Sequence, residues 1–430
     1  MSSRRRKRPS PSWLRLDNAA KIYPAARSRK WMALFRVSIT LKEPIDEAVL
    51  QKALRQLVKR VPLLSYRLKR GLFWYYFDWH ETQPAVQPDA RNPMLPIDLK
   101  ENGGFLFRVR SFDRRIALEV FHALTDGTGG MTFLLTLTAE YLWLKYGIRI
   151  PEAPLILDTR DEPHKGEWED AFLRYARDAV RPRREDTAWH LGGVREKPGY
   201  LNITTGILPT DKLSALAREK GCSVNSLMAA LFLFSLIKAR EKARRPGKRP
   251  VKLSLPVNLR RFYPTATLRN FSSYINVPVY TDYGEYSLEE LISLVGHTMG
   301  LETLEPLVNA RFSANVKAER NWLLRVFPLF IKTAVLKFMY RATGESYMTS
   351  TLSNLGLIRM PPEMEAHCER VELLLGAAKR TPLACAVVSA CGSTAINFTK
   401  TIRDTVVERV FFTQLVQLGV PVLIESNWRE

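Results

Sequence analysis

Two mixed α/β halves of similar size are predicted for this 430-residue chain, and three observations predict them. Segments with strand alternation and segments with helical spacing follow one another along the chain. A composition of 46% hydrophobic and 25% charged residues is that of a globular protein able to bury a large core. Between Arg177 and Tyr200 the sequence turns polar and basic, with Gly and Pro, which marks a connection rather than a packed element. The predicted divisions are a disordered basic tail at 1–12, a first unit at 13–180, a linker at 181–200 and a second unit at 201–430.

Phe35, Val37, Ile39 and Leu41 alternate with Arg36, Ser38 and Thr40, predicting a half-buried strand. Ile45–Val61 places Val49, Leu50, Ala53, Leu54, Leu57 and Val58 on one helical face, and Pro62 stops it. Phe73–Phe77 and Arg115–Phe121 read as strands. Thr128–Tyr146 reads as an apolar helix ended by Gly147. In the second half, Ser223 is placed to cap a helix running to about Arg240. Ser287 and Glu290 form a capping box for a helix to about Met299. Strands are expected at Lys252–Val257, Tyr274–Tyr280, Met348–Leu352, Val371–Leu375, Ala384–Ser389 and Ala395–Thr399. A helix at Val407–Leu418 and a closing strand at Val420–Glu425 complete the chain.

Trp322–Ala342 is the best candidate for a membrane span, but Arg325, Pro328, Lys332 and Lys337 interrupt it, so it does not read as one. An amphipathic helix lying on a core or on a bilayer surface is expected instead. No signal peptide follows the basic run Arg4–Arg8. The four cysteines, Cys222, Cys368, Cys385 and Cys391, show no metal or disulfide spacing, which points to reduced thiols and a cytoplasmic protein. The chain carries 65 Lys+Arg against 43 Asp+Glu, a net charge of +22, which favours anionic partners. The basic residues cluster at Arg4–Arg8, Arg177–Arg184 and Lys238–Pro250 without interleaved aromatics or a nucleic-acid-binding motif. No nucleic-acid partner is expected.

The stretch richest in chemistry is FHALTDGTGG, Phe121–Gly130. A strand ends in His122, Asp126 stands four residues on, and glycines crowd the start of an apolar helix. A His at the end of a strand serves as a general base if it faces a cleft. It serves equally as a packed residue. A metal site lacks further ligands, and GTGG does not match the phosphate-loop patterns.

His122, Asp126 and Gly127 fit HxxxDG. The second half adds LPVNLRRFYP at Leu255–Pro264, LRNFSS at Leu268–Ser273 and TLSNLG at Thr351–Gly356, and the first opens on RLDNAAKIYPAA. In this order and spacing the chain resembles the chloramphenicol-acetyltransferase-like superfamily of HxxxD acyltransferases, nearest its bacterial alcohol acetyltransferase and condensation-domain-like branch. The resemblance implies two subdomains with a tunnel active site between them. His122 would take the proton of an alcohol or amine acceptor, which attacks an acyl thioester. Asp126 would pair with Arg260 in a structural role, Gly127 would let the loop turn, and Ser353 and Asn354 would contact substrate or the oxyanion. The resemblance implies no bound cofactor and no metal, with acyl-CoA or an acidic acyl carrier protein as co-substrate and a monomer sufficient for activity. Lys238, Arg240, Arg244 and Arg245 are candidates for binding the coenzyme phosphates or the carrier protein. Phe121 stands where condensation domains carry a second His, and the plant-type DFGWG motif is absent. Two other readings compete: an idle binding or scaffold member of the same fold, and a protein whose basic charge serves a membrane surface or nucleic acid.

Overall fold

The computed structural model describes residues 10–27, 32–178, 185–244, 247–320, 326–339, 344–378 and 380–428. In chain order the strands are β1 Trp13–Arg15, β2 Leu34–Leu41, β3 Tyr66–Arg70, β4 Tyr75–Trp79, β5 Val86–Pro88, β6 Phe107–Phe112, β7 Arg115–Phe121 and β8 Asn202–Pro209. They continue with β9 Val251–Asn258, β10 Ser272–Val279, β11 Ser350–Leu357, β12 Cys368–Leu375, β13 Leu383–Ala390, β14 Ser393–Lys400 and β15 Leu423–Ser426. The helices are α1 Ile22–Ala26, α2 Glu47–Arg60, α3 Gly127–Tyr146, α4 Ala171–Tyr175, α5 Thr210–Glu219 and α6 Val224–Glu241. After them come α7 Leu288–Glu302, α8 Glu305–Arg320, α9 Leu329–Met339, α10 Pro362–Glu365 and α11 Val406–Gln417.

Two sheets organise the molecule. The first has five strands in the order β12-β2-β7-β6-β5, and the second has seven in the order β10-β9-β11-β13-β14-β8-β15. A small antiparallel sheet, β1-β4-β3, stands beside the first. Helices α2 and α3 build the core of the first sheet, with Leu50, Ala53, Leu54 and Leu57 fully buried. Asp46 caps α2 by accepting from the Val49 N–H, and Pro62 opens a separate short turn after it. Helix α6 is the core helix of the second half. Ser223 caps it at Ser226 N–H, and Leu227–Leu233 are buried against β9, α7 and α11. The Ser287/Glu290 capping box opens α7.

The structure departs from the sequence expectations in several places. β2 is buried at all eight positions rather than on one face. Its polar alternates do not meet water because the second half covers them, and Arg36 is instead paired with Asp89 and Glu119. Second, β12 comes from the C-terminal half but pairs antiparallel with β2, from Cys368 opposite Leu41 to Leu375 opposite Phe35. A division at 181–200 therefore does not separate the two sheets: the edge of β2 needs a partner, and the partner comes from far down the chain. Third, the stretch expected as one helix over Trp322–Ala342 is described only at 326–339, where α9 begins after Pro328. An additional helix, α8, precedes it. Proline has no N–H to donate and favours the first turn of a helix, which explains the start of α9 at Leu329. Strand β4 begins two residues later than expected, because Gly71 N–H bonds to Trp74 O and closes a turn there. Among the described residues no single helix is long and apolar enough to cross a membrane.

A fragment ending at Tyr200 is expected not to fold by itself, because it leaves the β2 edge bare. Circular dichroism and amide NMR of that fragment, alone and mixed with 201–430, check this. A well-dispersed spectrum of the isolated fragment contradicts it.

Candidate active site

β7 delivers His122 to the seam between the halves. The His122 N–H bonds to Ala33 O at 2.8 Å, which fixes the backbone there. The imidazole lies deep in the protein yet keeps part of its surface open to solvent. Tyr23 of α1 stacks on one face with ring centres 4.8 Å apart, and Phe35 of β2 meets it edge-on at 5.1 Å.

Its Nδ1 lies 3.1 Å from Asn270 Oδ1. The amide of Asn270 is oriented by Asp17, whose Oδ2 accepts from Asn270 Nδ2 at 3.3 Å. Asp17 is itself fully buried, held by the Ala20 N–H at 2.7 Å and facing Arg269 at 3.5 Å. With its nitrogen committed to Asp17, Asn270 presents only its oxygen to the imidazole. Nδ1 must then carry the proton, and Nε2 is left with a free lone pair. Burial pushes the imidazole below its ordinary 6.5, opposed by the nearby Asp126 carboxylate and the Asn270 bond. The ring is therefore neutral at pH 7.

Asp126 does not bond to His122. Its Oδ1 accepts from Gly129 N–H at 3.1 Å and caps α3. Its Oδ2 accepts from Phe271 N–H and from Arg260 Nη1, both at 2.8 Å. Arg260 in turn donates to Thr267 O at 3.1 and 3.0 Å and to Arg269 O at 2.6 Å. Asn258 braces both sides: its Oδ1 accepts from Arg260 N–H, and its Nδ2 donates to Thr128 Oγ1 at 3.2 Å. Burial works against an ionised Asp126, but Arg260 and the two backbone N–H donors outweigh it and hold the carboxyl below its ordinary value.

The glycines divide the work differently from the sequence expectation. Gly127 is not in the left-handed region, so the loop does not need it to turn. A Cβ there meets only Leu355 of β11, at 3.3 Å. Gly129 and Gly130 carry the constraint. A Cβ on Gly129 falls 2.0 Å from Thr125 Oγ1 and 2.5 Å from Leu268 O, and one on Gly130 falls 2.5 Å from the Phe35 ring. Their absent side chains let α3 dock against the 267–271 loop and β2.

The remaining candidates are dispersed. Asn354 spends its side chain on Asn225 at 3.3 Å and on Gly356 N–H at 2.7 Å. Ser353 lies beside it in β11, in register with Ala386. Neither hydrogen-bonds to His122 among the described residues. Lys238 pairs with Glu241 at 2.9 Å on the surface. Arg240 is buried, with bonds to Thr281 and Gly247 O, so it holds two loops and is not available to a phosphate. Arg244 is exposed, and Arg245 lies outside the described residues. Lys238 and Arg240 sit at the far end of α6 from Asn225, about 20 Å away at 1.5 Å per residue. Among the described residues no group of His, Cys, Asp and Glu has the makings of a metal site. Asn270, Asp17 and Tyr23 were missed as site residues, although they lie in the LRNFSS and RLDNAAKIYPAA stretches already singled out.

No protein-family model matches the chain. An uncharacterized protein of Mycobacterium tuberculosis is 23% identical over 259 residues, a match spanning 57% of this chain and 57% of the relative. The chain thus spans little more than half the length of that relative. Among solved structures, the first condensation domain of the calcium-dependent antibiotic synthetase, bound to a substrate analogue, superposes with a TM-score of 0.60 at 17% identity, covering 95% of this chain and 97% of that one. The trichothecene 15-O-acetyltransferase TRI3 of Fusarium sporotrichioides gives 0.60 at 10% identity, with 96% of both chains covered. TRI101 of the same organism, complexed with coenzyme A and T-2, gives 0.62 at 10% identity, covering 97% of this chain and 100% of that one. The chain therefore has the two-subdomain chloramphenicol-acetyltransferase-like fold that condensation domains and trichothecene acetyltransferases share.

Asp126→Ala leaves Arg260 without its carboxylate in a largely buried place and is expected to cost about 3 kcal/mol, read as a lowered urea midpoint. Gly129→Ala is expected to cost about 1–3 kcal/mol through overlap with Leu268 O. Wild-type midpoints for both variants would contradict the packing described.

Proposed function

We propose that this chain is an acyltransferase that moves an acyl group from a thioester to an alcohol or amine, with His122 as general base. The observation that carries this reading is the setting of the imidazole: partly open at the seam, with Nδ1 3.1 Å from Asn270 Oδ1 and no hydrogen bond to Nε2 among the described residues. The fold supports it, since relatives of that fold include a named acetyltransferase and a protein bound to coenzyme A. Fold alone does not establish a reaction; the retained histidine in its oriented setting is the stronger support.

The steps balance without any further reactant. The acceptor O–H or N–H hydrogen-bonds to Nε2. As its oxygen or nitrogen attacks the thioester carbonyl carbon, Nε2 takes the proton and the carbonyl oxygen becomes an oxyanion. The tetrahedral intermediate collapses, the C–S bond breaks, and the imidazolium returns the proton to the leaving thiolate. Asn270 stabilises the imidazolium by keeping its oxygen on Nδ1–H. Asp126 and Arg260 act on geometry, holding the 267–271 loop that carries Asn270. Asn354 is not assigned to the oxyanion, because its amide is committed to Asn225 and to the Gly356 N–H.

We assign free acyl-CoA as donor and an alcohol as acceptor within this reading. Phe121 in place of a second motif histidine favours the acetyltransferase branches over peptide-forming condensation. A cytoplasmic location belongs to the same proposal and is consistent with four free cysteines.

Thiol release from acyl-CoAs of increasing chain length, offered with simple alcohols, tests this. His122→Ala is expected to lower turnover by about 10²–10⁴-fold with little change in melting temperature; undiminished turnover would sink the base assignment. The pH profile gives a second check. The imidazole pKa is lowered in the fold, so the neutral base persists below pH 6.5 and turnover is expected to stay flat from pH 8 down through 6.5 before falling. The same shift makes the His122 contribution to stability complete above 6.5 and lost as pH falls through the folded value. An acid limb centred above 6.5 would contradict both.

A further inference from the structure

Helix α9 is amphipathic in the reverse sense. Its inward face carries Leu329 and Lys332, both nearly fully buried. Its outward face carries Phe330, Ile331, Ala334, Val335 and Phe338, all exposed. At 3.6 residues per turn these five fall within about 140° of the circumference. Phe330 is 63% and Phe338 71% exposed. A helix on a protein surface ordinarily turns such a stripe to the core, and a contiguous exposed apolar face marks an interaction site.

The neighbouring β3–β4 turn extends the face. Leu72 is 73% exposed and Phe73 stands beside it. The turn is fastened to α9 by Leu329 N–H to Leu72 O at 2.9 Å and by Lys332 Nζ to Phe73 O at 3.1 Å, with the same ammonium 3.8 Å from the Trp74 ring centre. Turn and helix therefore form one platform.

The charge around the platform selects its partner. No acidic residue occurs in 326–339 or in 66–77, whereas Lys69, Arg70 and Lys337 stand around the apolar side chains. Lys69 and Arg70 are both exposed. Exposed Trp13 borders a cleft of about 490 Å³ that Trp74, Lys21 and Glu319 also line. Aromatic side chains beside lysine and arginine are the composition of a membrane–water interface.

We propose that the outer face of α9 and the Lys69–Phe73 turn dock this protein on an anionic lipid bilayer, with Phe330, Phe338 and Leu72 inserted at the headgroup boundary. The cleft then opens at the lipid surface, beside the Lys21–Tyr23 segment that leads to His122. The docking does not depend on the acyl-transfer reading, and its test does not use activity.

The test is co-sedimentation of the whole chain with phosphatidylcholine vesicles, with and without about 30% phosphatidylglycerol. Binding to the anionic vesicles is expected. Phe330→Glu/Phe338→Glu is expected to weaken it at least about tenfold, and Leu72→Ser/Phe73→Ser to weaken it as well, at unchanged melting temperature. Lys69→Glu/Arg70→Glu is expected to remove the preference for anionic lipid. Absence of binding, binding indifferent to lipid charge, or binding that the Phe330/Phe338 variant retains would each overturn the proposal. Light scattering covers the remaining case: a wild-type dimer that this variant dissociates, without vesicle binding, overturns it in favour of a contact between copies.

Discussion

The structure around His122 depends on one carboxylate. Asp126 caps α3 of the first half with one oxygen and holds Arg260 and the Phe271 N–H of the second half with the other. An ordinary helix cap thereby becomes a clamp between halves. Arg260 passes the constraint on to the carbonyls of Thr267 and Arg269, and the loop so fixed carries Asn270 to the imidazole. A buried ion pair of this kind adds little net stability over an apolar substitute, but it is intolerant of losing one member. Its use here is placement: α3, the 267–271 loop and the end of β7 are held in one arrangement.

The rest of the seam follows the same logic. The face of β2 turned to the second half is polar. Arg36 is held by Asp89 and Glu119, and Glu119 also receives Arg108 and the Met94 N–H. Burial disfavours the charge on Asp89, yet Arg36 and Arg115 bring its carboxyl down to about 2. A cavity of about 240 Å³ lies against this network, with Thr205 and Asn397 of the second sheet on its other side. The apolar core of the first sheet also takes Leu201, Ile203, Ala386, Val388 and Ala395 from the second half, so apolar packing joins the halves together with paired charges and the crossing strand β12.

Much of this was legible in the sequence, for local reasons. The caps at Ser223 and Ser287, the stop at Gly147 and the strand at Arg115–Phe121 follow from short-range chemistry. What was not legible depends on distant partners. Period-two alternation cannot tell a solvated strand face from one covered by a second domain, so β2 read as half-buried. The crossing of β12 spans more than 300 residues of separation and leaves no local sign. Asn270 and Tyr23 became site residues only when the fold brought them to His122. Arg240 read as a free cation because its acceptors, Thr281 and the Gly247 carbonyl, belong to other loops. Gly127 drew attention through its motif, whereas the packing constraint falls on Gly129 and Gly130.

The chain of positions from Asp126 through Arg260 to Asn270 ends in a single chemical state, a neutral imidazole with its proton on Nδ1. Nitrogen-15 NMR of the imidazole, assigned to His122 by comparison with His122→Ala, reads that state directly. At pH 7 it should show a protonated Nδ1 and a bare Nε2, and Asn270→Ala should turn this into a mixture of tautomers. An imidazolium at pH 7, or a proton resident on Nε2, would contradict both the clamp's purpose and the role of His122 as a base.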